Sequence, residues 1–130
     1  MPGVMELVNR AKEEVENLSP SAVARELGRG DVVIVDIREP HETRQGMIPG
    51  AIRAPRGMLE FNADPTTQYH IAALQPDRRV ILYCSAGSRS ALGAKALKEL
   101  GYRDVAHLEG GFRAWQAEGR EVEVPRDLAA

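Results

Sequence analysis

Cysteine is nearly absent from this 130-residue chain, which has a single one, Cys84. One cysteine permits no internal disulfide. With only three scattered histidines (His41, His70 and His107) it also gives no metal-ligand spacing. No metal or cofactor is therefore expected. Positive charge is not in excess: the net charge is −2, which argues against a general polyanion binder and against nucleic acid as a partner. A small positive pocket remains compatible with that balance. Long hydrophobic runs are missing, so no segment is expected to cross a membrane. The first residues, Met1-Pro2-Gly3-Val4-Met5-Glu6, show neither a basic region nor an apolar one of the secretory kind, and a reducing cytoplasm is the expected location. Internal repeats and low-complexity tracts are lacking too.

What is present fits one soluble domain. Hydrophobic residues make up 43% of the chain and charged residues 28%. A chain of this length buries roughly two-thirds of its unfolded surface.

Apolar residues at helical spacing (Val4, Leu7, Val8, Ala11, Val15, Leu18) predict a helix over 4–17. Ser19-Pro20 restarts the pattern with a cap and a first helical residue, and a second helix is expected to end at Gly28. Residues 1–18 therefore read as a helical extension. Val32-Val33-Ile34-Val35-Asp36 and Val80-Ile81-Leu82-Tyr83 have almost no polar alternation, as in strands buried on both faces of a parallel sheet. Shorter strands are expected at 51–54 and 105–108. Helices are expected at 41–45, in a turn over 57–61, as a stub over 71–74, after the cysteine up to Gly101, and from Phe112. Residues 62–70 read as a loop and 119–130 as a weakly held tail. Strands alternating with helices predict an α/β fold, with a mostly parallel sheet of about five strands and helices on both faces.

Cys84 lies where an apolar strand runs into a helix through Ser85-Ala86-Gly87-Ser88-Arg89. A free cysteine at a strand end is ordinarily an inert, buried hydrophobe. The small residues after this one change the expectation. They allow a tight loop whose N–H groups point inward, and the helix behind it presents its positive end; both favour a thiolate. Arg89 adds a permanent positive charge near the rim. In open α/β sheets ligands bind at the carboxyl ends of strands, which is where Cys84 stands.

Four segments together resemble the rhodanese (sulfurtransferase) family, over about Ser19 to Glu118. They are Val35-Asp36-Ile37-Arg38-Glu39 with Glu42 and Gly46; Ile48-Pro49-Gly50-Ala51; Cys84 to Arg89; and Gly101-Tyr102…Val105…Leu108-Glu109-Gly110-Gly111-Phe112…Ala114-Trp115. One departure is visible: Met47 stands where the family often has histidine after the glycine. The resemblance implies a rhodanese-like domain over 19–118. It also implies that Cys84 takes a sulfane sulfur from a donor such as thiosulfate, becomes a persulfide, and passes the sulfur to cyanide or a thiol, on a small molecule or a protein. The N–H groups of Ser85, Ala86, Gly87, Ser88 and Arg89 would hold the charged terminal sulfur, and Arg89 would help bind an anionic donor. Asp36 and Arg38 are expected as an ion pair that supports the loop. Related phosphatases place five residues between cysteine and arginine. Here four separate Cys84 from Arg89, which implies a pocket better suited to one sulfur than to phosphate.

Alternatives are a persulfide carrier or partner-binding module, for which the 4–17 helix speaks, and a phosphatase or arsenate reductase on the same fold. Outside the loop, His41 is expected on a surface helix and His107 as a packed or edge residue. Trp115 is expected as a core plug. Arg53 and Arg56 either raise the potential near the pocket or are solvated. Tyr69 and His70 either join the pocket rim or lie on a plain surface connection.

Overall fold

The computed structural model describes residues 1–126; positions 127–130 of the expected tail lie outside the described residues. Its strands are β1 (Glu16–Leu18), β2 (Val32–Asp36), β3 (Ile52–Arg53), β4 (Arg79–Tyr83) and β5 (Asp104–Leu108). They form one parallel sheet in the order β1-β5-β4-β2-β3. The helices are α1 (Val4–Glu14), α2 (Pro20–Arg29), α3 (Pro40–Thr43), α4 (Leu59–Ala63), α5 (Ser88–Glu99) and α6 (Gly111–Ala117).

Period-two alternation sorts the strand side chains into two cores. Val33, Val35, Val80, Leu82, Cys84 and Val105 face one side, with Leu59, Ala94 and Leu97 from α4 and α5. Ile34, Ile81, Tyr83, Ala106 and Leu108 face the other, with Val23 of α2 and Phe112 and Trp115 of α6. Burying each large apolar side chain contributes about 1.5–3 kcal/mol, so both faces must be covered, and the helices do this. The α2 start shows the local logic: Ser19 Oγ accepts from Ala22 N–H at 3.1 Å, and Pro20 occupies the first turn.

The first helix is shorter than its periodicity predicts. It stops at Glu14, Val15 is extended, and Glu16–Leu18 forms the edge strand β1 beside β5. Two contacts explain the break. The Val15 side chain turns into the main core, and the Asn17 amide Nδ2 donates to Lys12 O (2.9 Å) and Val15 O (3.0 Å), satisfying the helix end. Residues 1–18 thus supply both a sheet strand and a helix, with Val8 and Ala11 packed on Ala91 of α5.

Other differences are smaller. Asn62 and Ala63 belong to α4 rather than to a loop, and 71–74 form turns rather than a helical stub. The tail is held at least to Glu123. Met47 and Glu123 exchange backbone hydrogen bonds (2.8 and 2.9 Å), and Trp115 Nε1 donates to Glu121 O at 2.8 Å. Trp115 is buried, as a core plug is.

Candidate active site

Cys84 follows β4 directly and is 1% exposed. Its Sγ accepts from Gly87 N–H at 3.1 Å and Ser90 N–H at 3.3 Å, at the amino end of α5. The loop closes this tightly because Gly87 adopts φ +106°. The N–H groups that reach the sulfur are therefore those of Gly87 and Ser90, rather than all of 85–89. Ser85 and Ser88 are half-buried and Ala86 is exposed.

Behind the loop, the start of α6 receives its carbonyls. Phe112 N–H donates to Cys84 O (2.8 Å) and Arg113 N–H to Ser85 O (3.0 Å). This close approach requires glycine at Gly111, where an added Cβ would lie 2.5 Å from Ser85 O at φ +62°.

Arg89 sits at the loop end, but its charge is already engaged. Nη1 and Nη2 donate to the two Glu42 carboxylate oxygens at 2.8 and 2.9 Å. These bonds, aided by Glu39 N–H, pull Glu42 down to about 2 despite its burial. Asp36 and Arg38 pair at 2.7 Å in the interior; Arg38 also donates to Gly46 O at 2.7 Å and lies 4.2 Å over the Phe112 ring. Burial opposes the Arg38 charge, and Asp36, Tyr83 and Glu42 together more than restore it. The neighbouring Tyr83 hydroxyl is pushed up by burial and by Asp36, and accepts from Ile48 N–H at 3.0 Å.

Beside Ser85, which alone of residues 84–89 lines it, opens a cleft of about 400 Å³ whose lining also includes Arg38, His41, Glu42, Phe112 and Arg113. His41 lies on α3, exposed, and borders this cleft. Tyr69 and His70 are not in its lining: Tyr69 packs edge-on against Phe61, and His70 Nε2 lies 2.7 Å from Leu74 O. Arg56 pairs with Glu60 at 2.8 Å. Arg113, exposed on α6, makes no ion pair among the described residues.

Three further residues form a row behind the sulfur, and two of them, His107 and Asn17, come from segments distant in sequence. Ser90 Oγ lies 3.5 Å from Cys84 Sγ and 2.9 Å from His107 Nδ1, and His107 Nε2 lies 2.7 Å from Asn17 Oδ1. His107 is fully buried, and burial holds it down to about 4. The register explains the meeting: Leu82 and Asn17 both stand opposite His107, and Cys84 is one same-face step beyond Leu82. Among the described residues no cluster of three His, Cys, Asp or Glu side chains is placed to hold a metal ion, and no helix is long and apolar enough to cross a membrane.

A parallel sheet carrying a cysteine loop at its carboxyl edge, with the start of the following helix donating to the sulfur, defines an α/β domain centred on that cysteine. The Rhodanese-like domain family matches residues 19–118, and the chain belongs to that family. It is 36% identical over 95 residues to a sulfurtransferase of Allochromatium vinosum, covering 73% of this chain and 81% of that one. It is 34% identical over 91 residues to the thiosulfate sulfurtransferase GlpE of Pseudoalteromonas translucida, covering 70% and 79%. Among solved structures, a Rhodopseudomonas palustris protein described as of unknown function and a possible tyrosine phosphatase superposes with TM-score 0.88 at 40% identity, over 95% of this chain and 96% of that one.

Proposed function

We propose that the protein is a sulfurtransferase that carries one sulfane sulfur on Cys84. The observation that carries this reading is the sulfur's setting: two backbone N–H groups aimed at Sγ at a helix amino end, with the next residue, Ser85, lining a polar cleft. In the first half-reaction the Cys84 sulfur attacks the outer sulfur of thiosulfate. A new S–S bond forms, the old one breaks, and sulfite leaves with its electron pair. The persulfide then gives its terminal sulfur to cyanide or a thiol, on a small molecule or a protein, and Cys84 regains its electron pair. Donor and acceptor never meet, so ping-pong kinetics follow. No cofactor enters. A thiol acceptor suits a reducing compartment such as the cytoplasm.

The role of Arg89 changes in this reading. Its guanidinium is matched by Glu42, so it fixes the shape of the loop. Arg113, without an ion pair among the described residues, is the cation the cleft offers to an anionic donor. An engaged Arg89 and four intervening residues also count against phosphate chemistry, despite the description given to the Rhodopseudomonas palustris structure.

Thiosulfate and cyanide incubated with the protein should give thiocyanate, and Cys84→Ser should reduce this to background. Full activity in that variant would sink the mechanism. A one-sulfur mass gain on Cys84 without turnover would mark a carrier instead, and Cys84-dependent cleavage of an aryl phosphate would revive the phosphatase reading.

A further inference from the structure

The steps above leave unused the side chain that touches the sulfur. Ser90 Oγ lies 3.5 Å from Sγ, with His107 and Asn17 behind it in an unbroken hydrogen-bonded row. Asn17 sets the direction of that row. Its Nδ2 is committed to Lys12 O and Val15 O, so its Oδ1 accepts the Nε2–H of His107. With the proton on Nε2, His107 Nδ1 carries a lone pair and accepts from Ser90 Oγ–H at 2.9 Å. The other acceptor open to Ser90, Gly87 O, is farther away at 3.4 Å. Ser90 therefore turns an oxygen lone pair toward the thiol. Every hydrogen bond points the same way, from S–H through O–H to nitrogen.

We propose that Ser90 and His107 form a proton relay that removes the Cys84 proton for attack on the sulfur donor and returns it after the sulfur has left. This rests on the reading of Cys84 as the sulfur-carrying nucleophile. The thiol is 1% exposed, so bulk water is poorly placed to take its proton. In the first half-reaction the S–H bond breaks, its proton passes to Ser90 Oγ, and the Ser90 proton passes to His107 Nδ1. The electron pair stays on sulfur and forms the bond to the donor. Sulfite leaves with its own pair, and the imidazolium is balanced by the persulfide anion. When the acceptor takes the terminal sulfur, Sγ recovers its electron pair and the proton returns along the same path.

The surroundings favour that return. Burial disfavours the imidazolium, Glu109 favours it and Lys12 opposes it, and Lys12 and Glu109 are themselves paired at 2.6 Å. From α5 the nearby charge is Arg89, which acts on Cys84 and is matched by Glu42; β1 contributes the neutral Asn17. The proton thus rests on His107 only while the loop holds an anion. Ser90 touches the reacting sulfur; His107 acts through it as a positioning residue.

The test is the pH profile of Cys84 alkylation by iodoacetamide, read with no sulfur donor present, in wild type, Ser90→Ala, Ser90→Thr and His107→Asn. Ser90→Ala keeps the backbone N–H donor to Sγ, and the amide oxygen introduced by His107→Asn accepts a hydrogen bond but does not take up a proton. Once the proton has passed to His107, Ser90 Oγ–H donates to the thiolate, so Ser90→Ala and His107→Asn should each move the midpoint up by about one pH unit, slowing alkylation about tenfold on the acid limb. Combining them should add little, and Ser90→Thr should restore most of the shift. A midpoint that stays in place or falls in either variant overturns the relay. If His107→Asn does not fold, the Ser90 pair decides alone. Because alkylation needs no sulfur donor, a wild type that makes no thiocyanate sinks the sulfur-transfer reading without deciding the alkylation result.

Discussion

The two ends of β4 carry the same kind of ion pair and put it to different use. At the amino end, Arg79 gathers Glu16, Glu26 and Asp104 at 2.6–2.8 Å, joining β1, α2 and β5 at the rim of the sheet. Hydrogen bonding to Glu26 leads the forces that hold the Arg79 charge above its ordinary range, and Arg79 in turn holds Glu26 low. At the carboxyl end, Arg89 is matched by Glu42, and Arg38 by Asp36, around the Cys84 loop. The first cluster fastens elements together. The second matches the cations beside the loop with carboxylates while fixing their positions, so that Arg89 still acts on Cys84 but with its charge partly offset by Glu42. What an arginine faces, rather than its pairing, decides its role.

The largest break in this comparison is expected from Gly111→Ala, at the carboxyl end only. The new Cβ collides with the carbonyl of Ser85 at a backbone angle that alanine resists. A loss of about 3 kcal/mol in urea denaturation, from strain plus displacement, should accompany near-complete loss of thiocyanate formation. Arg79→Ala should lose about 2 kcal/mol from the other end, since three carboxylates are left without their cation. Its kcat should match wild type at a temperature where both are folded. A fall in kcat beyond its folded fraction would show that the two ends are coupled.

Arg113→Gln sharpens the contrast between matched and unmatched cations. It should leave stability unchanged and raise the KM for thiosulfate about tenfold, equivalent to about 1.4 kcal/mol of binding. An unchanged KM would return the donor-binding role to Arg89.

These contrasts also show where a sequence reading runs out. The central strands were legible because unbroken runs such as Val80-Ile81-Leu82-Tyr83 are local signals of burial on both faces. The cysteine loop was legible because small residues followed by a helix form a local pattern. β1 was not, because Val15 and Leu18 continue the helical spacing, while the strand exists only through its pairing with β5. The engaged state of Arg89 was hidden for the same reason, since Glu42 lies 47 positions away. Ser90 is only six residues from Cys84, but His107 and Asn17 join it through strand register, which no short window contains. The tail was read as loose because Glu123 finds its partner at Met47.

The smallest effect separates the ends by pH. Glu42 holds two bonds from Arg89 and one from Glu39 N–H, and its folded value of about 2 lies below its ordinary one near 4.5. A depressed carboxylate stabilises the fold fully above the unfolded value, and that stability fades as pH falls through the folded one. Glu42→Gln should therefore lose about 1 kcal/mol at neutral pH, kept small because water reaches one side of the pair. The difference from wild type should shrink from about pH 4.5 downward and close near pH 2, the window set by those two values. In Arg79→Ala the gap should also narrow on acidification, because Glu26 is protonated in its turn. Only the Glu42 variant should change alkylation of Cys84 at neutral pH, because only its partner shares the loop with the sulfur. Equal alkylation rates in the two variants would mean that the pair at the carboxyl end is a fastening like the other.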